Sequence, residues 1–322
     1  MTSFGFVLSS GVAVSSAWFH FSLTDFQYAF LSILLEGIPF LLGGAILSGL
    51  LEEFLPQSLM TRLLPKNPRM AILASGFLGL IFPVCECGIV PVVRRLMSKG
   101  LPVSCGVTYM LSSPIVNPLV LLITLAAFRG QGAVEMTILR GGLGFSVAVL
   151  VGWVVSFVSP SSILRPEVLS SHGDHDHNHG DASSSLLDRL QNAAGVATRD
   201  FLDVAVFFVI GAGAAAFFNT AVKQEILLPL ASNSLLSIAS LMGLASVLSV
   251  CSTTDAFIAA TFTAFPMAAK LAFLVFGPMM DFKLIFLYSA AFSKRFILLL
   301  ALGLFVVIGL LCWRLSTLNL GL

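Results

Sequence analysis

Long apolar runs constrain this chain more than any other feature. A helix needs about 20 mostly apolar residues to cross a bilayer, and eight runs of that kind lie along the chain. They are 27–51, 69–98, 102–128, 134–158, 200–222, 234–264, 266–292 and 294–314. Charged residues make up 10% of the sequence, against about 25% in a soluble domain. The sequence therefore predicts an all-α, polytopic protein of the inner (plasma) membrane, with lipid around it.

The composition also excludes several classes of function. The net charge of +1 gives no basic field for nucleic acid. No G-x-x-x-x-G-K-[ST] loop is present, so the chain does not hydrolyse ATP itself. The five cysteines lie in or beside apolar runs, unlike a secreted disulfide framework. We expect a membrane protein that is not an enzyme, has no cofactor and handles a small-molecule or ion substrate.

Two of the runs contain prolines where a straight helix is not expected to continue. Pro83 and Pro91 interrupt the second run, and Pro114 and Pro118 interrupt the third. Proline removes a helix donor and disfavours helix in the residue before it. Non-helical backbone at membrane depth is tolerated where it lines a cavity or is buried in protein. Both runs are therefore predicted to be broken helices.

The segment 159–199 is the one long hydrophilic stretch, and it divides the chain into two membrane halves. The halves are 26–158 and 200–315, and residues 1–25 form an N-terminal apolar segment, either a span or an interfacial helix. The hydrophilic segment contains His172, His175, His177 and His179. Imidazoles in such a tract can bind a metal ion weakly. A flexible, solvated loop is the alternative interpretation.

Three short motifs recur in the same order in both halves. The matched stretches are Glu36–Gly44 with Asp203–Gly211, Pro83–Cys87 with Ser249–Thr253, and Ser113–Asn117 with Gly277–Asp281. Repeats with broken helices at matching places are typical of secondary transporters. We therefore predict two structural repeats, each with about three full spans and one broken or re-entrant segment.

Basic residues suggest how these repeats are oriented. Arg62, Lys66 and Arg69 precede the first broken run, and Arg94, Arg95 and Lys99 follow it. If both clusters lie in the cytoplasm, the first broken run enters and leaves the membrane on that side and is re-entrant. Each half then crosses the membrane an odd number of times, so the second half has the opposite orientation and the repeats are inverted. Arg165, Arg189, Arg199, Lys294 and Arg295 share that side, whereas Arg129, Arg140, Lys223 and Lys270 fall on the other. The loop 159–199 would be cytoplasmic. The rival scheme has kinked full spans and parallel repeats.

Cys85-Glu86-Cys87 is the sharpest chemical feature. Residues at i and i+2 point to one side of an extended segment but not of a helix, and the neighbouring prolines favour extended or turned backbone. Two thiolates can then converge on one soft, thiophilic atom, with Glu86 nearby. In the second half, Cys251 and Thr253 hold the matching positions. The alternative is that the cysteines serve as small apolar packing residues.

Four polar residues in apolar surroundings complete the predicted site. Glu36 and Asp203 occupy matching places in two spans, and a charge at a span centre costs about 2.5–3.5 kcal/mol. We interpret both as candidates for proton coupling, unless they merely reach the membrane interface. Asn117 and Asp281 each follow a proline by three residues and are candidates for substrate binding. Asn117 can instead cap a broken helix.

These motifs resemble those of the bacterial predicted permeases of the ArsP-like family, which includes organoarsenical efflux permeases. The resemblance covers roughly residues 25–315 and rests on Glu36–Phe40, Phe82–Gly88, Pro91–Leu96 and Ser112–Pro118. It implies a multi-span permease, and some relatives export trivalent arsenic compounds using cysteines. Because the His-rich segment is not part of the family pattern, a divalent metal-ion permease remains the alternative. A membrane thiol oxidoreductase using Cys85 and Cys87 is a third, weaker hypothesis.

Overall fold

A computed structural model describes residues 22–55, 65, 67–82, 84–165, 186–221 and 233–317. Within these residues the regular elements are helices, apart from one isolated bridge between Leu164 and Phe292. In this described part of the chain, six helical segments are long and apolar enough to cross a membrane: Leu23–Phe54, Val103–Ala127, Ala133–Val155, Leu187–Thr220, Met267–Tyr288 and Lys294–Thr317. Val103–Ala127 and Met267–Tyr288 each consist of two consecutive helices. The predicted α-helical, multi-pass membrane architecture is confirmed. Residues 1–21 and the four histidines of the hydrophilic segment lie outside the described residues.

The first half contains two long helices with shorter pieces between them. Its helices are α1 (Leu23–Phe54), α2 (Pro68–Gly76), α3 (Leu78–Ile81), α4 (Ile89–Ser98), α5 (Val103–Val116), α6 (Pro118–Ala127) and α7 (Ala133–Val155). A short helix α8 (Pro160–Ile163) follows. The segment α2–α3 is about 21 Å long at 1.5 Å per residue, too short for a bilayer core of about 30 Å.

The second half repeats this order. Its helices are α9 (Leu186–Ala221), α10 (Ser234–Leu248), α11 (Asp255–Thr261), α12 (Met267–Met279), α13 (Phe282–Tyr288) and α14 (Lys294–Thr317). The apolar run 234–264 is therefore not one helix, since residues 249–254 separate α10 from α11. We call residues 84–88 the first break and residues 249–254 the second break. Each break lies between two helices too short to cross the membrane.

Polar side chains cap the helices α6 and α13, which follow interruptions at residue 117 and at residues 280–281. The Oδ1 atom of Asn117 accepts a hydrogen bond from the amide of Leu119 at 3.0 Å, at the start of α6. Asp281 accepts one from the amide of Leu284 at 2.6 Å, at the start of α13. Both caps satisfy amides that have no partner within their helix. Pro118 directly follows Asn117 as the first residue of α6, where a missing amide donor is tolerated, and Pro278 lies three residues before Asp281.

Contacts between helix ends define two faces of the bundle. At one face, which we call the Glu52 face, Lys99 after α4 donates to the Glu52 carbonyl at the end of α1. Arg189 near the start of α9 donates to the Glu53 carbonyl at 2.6 Å. At the opposite face, the Gln131 face, Gln131 before α7 donates to the Ala260 carbonyl at 3.4 Å, near the end of α11. Thus α4 ends at the Glu52 face and α11 ends at the Gln131 face.

Glycines bring helix backbones close together in the centre of the bundle. A Cβ atom added to Gly44 of α1 would overlap the backbone of Gly88 in the first break. A Cβ atom added to Gly211 of α9 would lie 2.9 Å from the Lys283 carbonyl in α13. Small residues allow such approach between membrane helices. The two longest helices, α1 and α9, therefore pack directly against the polar segments at the centre of the protein.

Candidate substrate cleft

A small cleft lies where α1, both breaks and α13 meet. Its lining residues are Ile33, Glu36, Gly37, Phe40, Cys85, Cys87, Ser249, Cys251 and Lys283. Three of the five cysteines thus face one space, together with a carboxylate and an ammonium group. The cysteines come from both halves of the chain. All five cysteines are free thiols.

The first break places two of these thiols by a tight turn. The amides of Gly88 and Ile89 both donate to the Cys85 carbonyl, at 3.2 and 3.1 Å. From α5, Tyr109 donates to the Phe82 carbonyl at 3.2 Å, and Ser113 donates to the Val84 carbonyl at 3.1 Å. These bonds satisfy carbonyls that the interrupted helix leaves without partners. The backbone is turned rather than extended, yet Cys85 and Cys87 still line the same cleft.

The second break uses the same turn. The amides of Thr254 and Asp255 both donate to the Cys251 carbonyl, at 2.9 and 3.0 Å. Ser249 enters the break with φ of 48°, in the left-handed region that non-glycine residues seldom adopt. The Cys251 carbonyl thus accepts two amide hydrogen bonds, as the Cys85 carbonyl does in the first break.

The two breaks contact each other directly through Glu86. The amide of Ser252 donates to Glu86 Oε1 at 3.3 Å, and the Ser252 hydroxyl donates to Oε2 at 3.1 Å. The Nζ atom of Lys283 lies 3.8 Å from Glu86 and 3.9 Å from Asp281, and it donates to the Ser249 carbonyl at 3.3 Å. Glu86 is 1% exposed. A carboxylate buried this deeply needs such partners, since an unpaired buried charge is costly.

A second buried ion pair lies behind the second break. Arg140 of α7 is fully buried, and its Nη2 atom lies 2.8 and 3.0 Å from the two carboxylate oxygens of Asp255. The same nitrogen donates to the Ser252 carbonyl at 3.1 Å, and Nη1 donates to Thr124 at 2.8 Å. Arg140 is buried within α7, and its assignment to the far side of the membrane stays a prediction. A cation inside an apolar run was the signal that could have identified it.

The remaining predicted residues divide into those near the cleft and those away from it. Glu36 lines the cleft and accepts a hydrogen bond from Thr254 at 3.2 Å. Thr253 donates to the Cys251 sulfur at 3.6 Å. Asp281 reaches the site through Lys283. Asn117 is buried but is not among the residues that line the cleft, and its observed contact is the cap of α6.

Asp203 does not share the surroundings of Glu36. Its side chain is 60% exposed and lies 3.6 Å from Arg94 of α4. It does not line the cleft. The four histidines of the predicted metal site fall outside the described residues. Within the described part of the chain, no group of three or more His, Cys, Asp or Glu side chains is arranged to hold a metal ion.

Known proteins of similar sequence identify the family of this chain. The model of a family described as "Predicted permease" matches residues 22–313, which include both breaks and the cleft. The chain belongs to the ArsP-like family of predicted permeases. The resemblance inferred from the motifs is confirmed.

Two known proteins are similar to this chain over most of their length. The UPF0718 protein YcgR of Bacillus subtilis (strain 168) is 41% identical over 289 residues, which cover 89% of this chain and 95% of that protein. The putative two-component membrane permease complex subunit of Streptococcus mutans serotype c is 36% identical over 270 residues, 84% of this chain and 87% of that protein. No solved structure matches the chain. A membrane permease is the function that the family and these relatives support.

Proposed function

We propose that this permease is a secondary transporter of the inner membrane that exports a small thiol-reactive solute, such as a monosubstituted trivalent arsenical. The observation that carries the proposal is the convergence of Cys85, Cys87 and Cys251 on one cleft between the two halves. Thiols are the protein ligands best suited to soft elements. A cleft inside the membrane region that is lined by thiols from both breaks suits a solute that has to be captured and released.

The binding chemistry requires no oxidant or reductant. An organoarsenic dihydroxide bound by two thiols forms two As–S bonds and breaks two As–O bonds. The two thiol protons leave with the two hydroxyl groups as water, and arsenic remains trivalent throughout. Cys85 and Cys87 can supply this pair from one turn, and Cys251 can exchange with either of them as the solute moves. Release reverses the binding step: two water molecules re-form the two As–O bonds, the two thiols regain their protons, and the organoarsenic dihydroxide leaves.

We further propose that the two halves are inverted repeats that give alternating access to the cleft. Three observations support this arrangement: the shared order of helices, the shared turn at Cys85 and Cys251, and the opposite faces at which α4 and α11 end. In transporters of this design, sites lie near the midplane between repeats, at broken helices. The Glu52 face would be cytoplasmic, since Lys99 and Arg189 lie there.

Proton coupling is the third part of the proposal, and Glu36 is the carboxylate best placed for it. It is the acid of α1 that lines the cleft, and Thr254 of the second break donates to it. A carboxyl group at a substrate site can exchange a proton as the site changes its exposure. The sequence prediction of the same role for Asp203 stays a prediction, with its observed contact being to Arg94.

Uptake by proteoliposomes tests the substrate class and whether the chain suffices alone. Purified protein is reconstituted, and uptake of phenylarsine oxide, arsenite, Zn²⁺ and Cd²⁺ is compared with empty liposomes. We expect saturable uptake of phenylarsine oxide by protein molecules that are inserted with their cytoplasmic face outward, because uptake by these molecules corresponds to export from the cell. Uptake of the divalent ions alone would instead favour the metal-ion permease, and deletion of 171–181 should then reduce it. No uptake by the isolated chain, but uptake in native vesicles, would indicate a second subunit.

A further inference from the structure

Arg140 joins the two halves of the membrane region at one buried point. It belongs to α7 in the first half, whereas Asp255 and Ser252 belong to the second half. Thr124 of α6 holds the other terminal nitrogen of the guanidinium at 2.8 Å. Arginine presents its donors in a rigid fork. The position of the second break relative to α6 and α7 is therefore fixed by several bonds to a single side chain.

The bond to the Ser252 carbonyl connects Arg140 to the cleft. Ser252 follows Cys251, which lines the cleft, and its amide and hydroxyl donate to Glu86 between Cys85 and Cys87. A continuous series of hydrogen bonds thus leads from Arg140 through Ser252 to Glu86. Displacement of the second break would move the Cys251 thiol and also remove two of the donors that hold Glu86.

A contribution to fold stability does not by itself explain why position 140 is an arginine. Replacing a buried ion pair by apolar residues of similar volume is often neutral or stabilising. The Nε atom of Arg140 is buried and has no hydrogen-bond partner among the described residues, which adds a cost. What an apolar pair cannot supply is the directed bond to the Ser252 carbonyl.

We infer that Arg140 is a positioning residue of the substrate cleft, which holds the second break where Cys251 and Ser252 meet the first break. The role in transport rests on the proposed function, whereas the effect on the cleft geometry does not. Lysine at position 140 keeps the charge but loses the fork. It therefore cannot bind Asp255, Thr124 and the Ser252 carbonyl together.

Three variants of the full-length protein test the inference: Arg140→Lys, the double apolar variant Arg140→Met with Asp255→Leu, and Arg314→Lys as the matched control. Arg314 is exposed in the last turn of α14 and lies beside Trp313. Maleimide labelling of each cysteine is followed by peptide mass spectrometry, with buried Cys312 as the internal reference. Phenylarsine oxide transport gives KM and the maximal rate, and thermal unfolding gives stability.

In Arg140→Lys we expect the labelling rate of Cys251 relative to Cys312 to change by about tenfold, the size of a lost charged hydrogen bond. The KM should rise while Arg314→Lys behaves as the parent. The double apolar variant should unfold at or above the parent temperature and still transport poorly. Parent-like Cys251 labelling in Arg140→Lys, or parent-like transport by the double apolar variant, would overturn the inference. If the parent itself transports no phenylarsine oxide, the proposed function fails, and the labelling result alone decides the role of Arg140.

Discussion

The two breaks share a backbone turn but differ in chemistry and in how they are held. In both, consecutive amides donate to the carbonyl of a cysteine, Cys85 or Cys251. The first break carries two thiols and a carboxylate, and it rests on α1 through the contact of Gly88 with Gly44. The second break carries one thiol and hydroxyl groups, and an ion pair with Arg140 holds it. Because the turn is shared but the side chains differ, we expect the first break to bind the solute and the second break to support it.

The largest effect is expected from the thiols of the first break. Serine is a much poorer ligand for soft elements than cysteine but has nearly the same size. The double variant Cys85→Ser, Cys87→Ser should therefore lose phenylarsine oxide transport to the level of empty liposomes, with normal insertion into the membrane. Transport is measured in proteoliposomes at matched protein content. Cys312→Ser is the control, since Cys312 is buried in α14 away from the cleft, and equal transport by the double variant would end the soft-solute hypothesis.

A large effect is also expected where the first break rests on α1. The Cβ of Gly44→Ala would overlap the Gly88 backbone, which cannot move aside as a flexible side chain can. Overpacking of this kind costs about 1–3 kcal/mol, and the displaced break would move both thiols. We expect a fall of about tenfold or more in the maximal transport rate.

The neighbouring glycine offers a matched control for this substitution. A Cβ at Gly43 has no atom within 4 Å, so Gly43→Ala should transport as the parent does. The two variants differ by one position on the same helix and are measured side by side in the proteoliposome assay. If Gly44→Ala also matches the parent, the close contact between α1 and the first break is not needed for transport.

A smaller effect is expected from the thiol of the second break. If the first break captures the solute and Cys251 only assists its exchange, Cys251→Ser should raise KM by about tenfold and leave residual transport. Initial rates over a range of phenylarsine oxide concentrations measure this. Complete loss in Cys251→Ser, with substantial transport in Cys85→Ser, would reverse the assignment of roles to the two breaks.

Much of the fold could be predicted from the sequence because membrane spans are encoded by local composition. Apolar runs and prolines indicated the spans and the first break without knowledge of any tertiary contact. The second break lies inside an apolar run, and its match to the Cys85 motif was the sequence feature that indicated it. Hydropathy indicates which residues lie within the membrane, but it does not indicate which side chains contact one another. The ion pair of Arg140 with Asp255 and the contacts of Lys283 with both breaks therefore required the three-dimensional structure.

Glu36 and Asp203 also show that a shared sequence motif does not specify tertiary contacts. They keep the same spacing to a Phe and a Gly in the sequence. In the structure Thr254 donates to Glu36 at the cleft, whereas Asp203 lies beside Arg94 and is largely exposed. Asp203 lies where α4, which carries Arg94, contacts α9, and such tertiary neighbours are not specified by local spacing.

For this pair of carboxylates we expect the smallest effect on solute exchange itself and a specific effect on its coupling to protons. Glutamine at position 36 keeps the size and the acceptor for Thr254 but cannot carry a proton. Glu36→Gln should therefore lose accumulation of phenylarsine oxide driven by a pH gradient, while exchange of solute across the membrane without a gradient continues at a rate near that of the parent. Asp203→Asn should change gradient-driven accumulation little, because its carboxylate lies away from the cleft. Both assays use the same proteoliposomes, with an imposed pH gradient in one and preloaded solute in the other. If gradient-driven accumulation survives in Glu36→Gln but is lost in Asp203→Asn, proton coupling would be assigned to Asp203 in the second half. If it survives in both variants, neither carboxylate takes part in proton coupling.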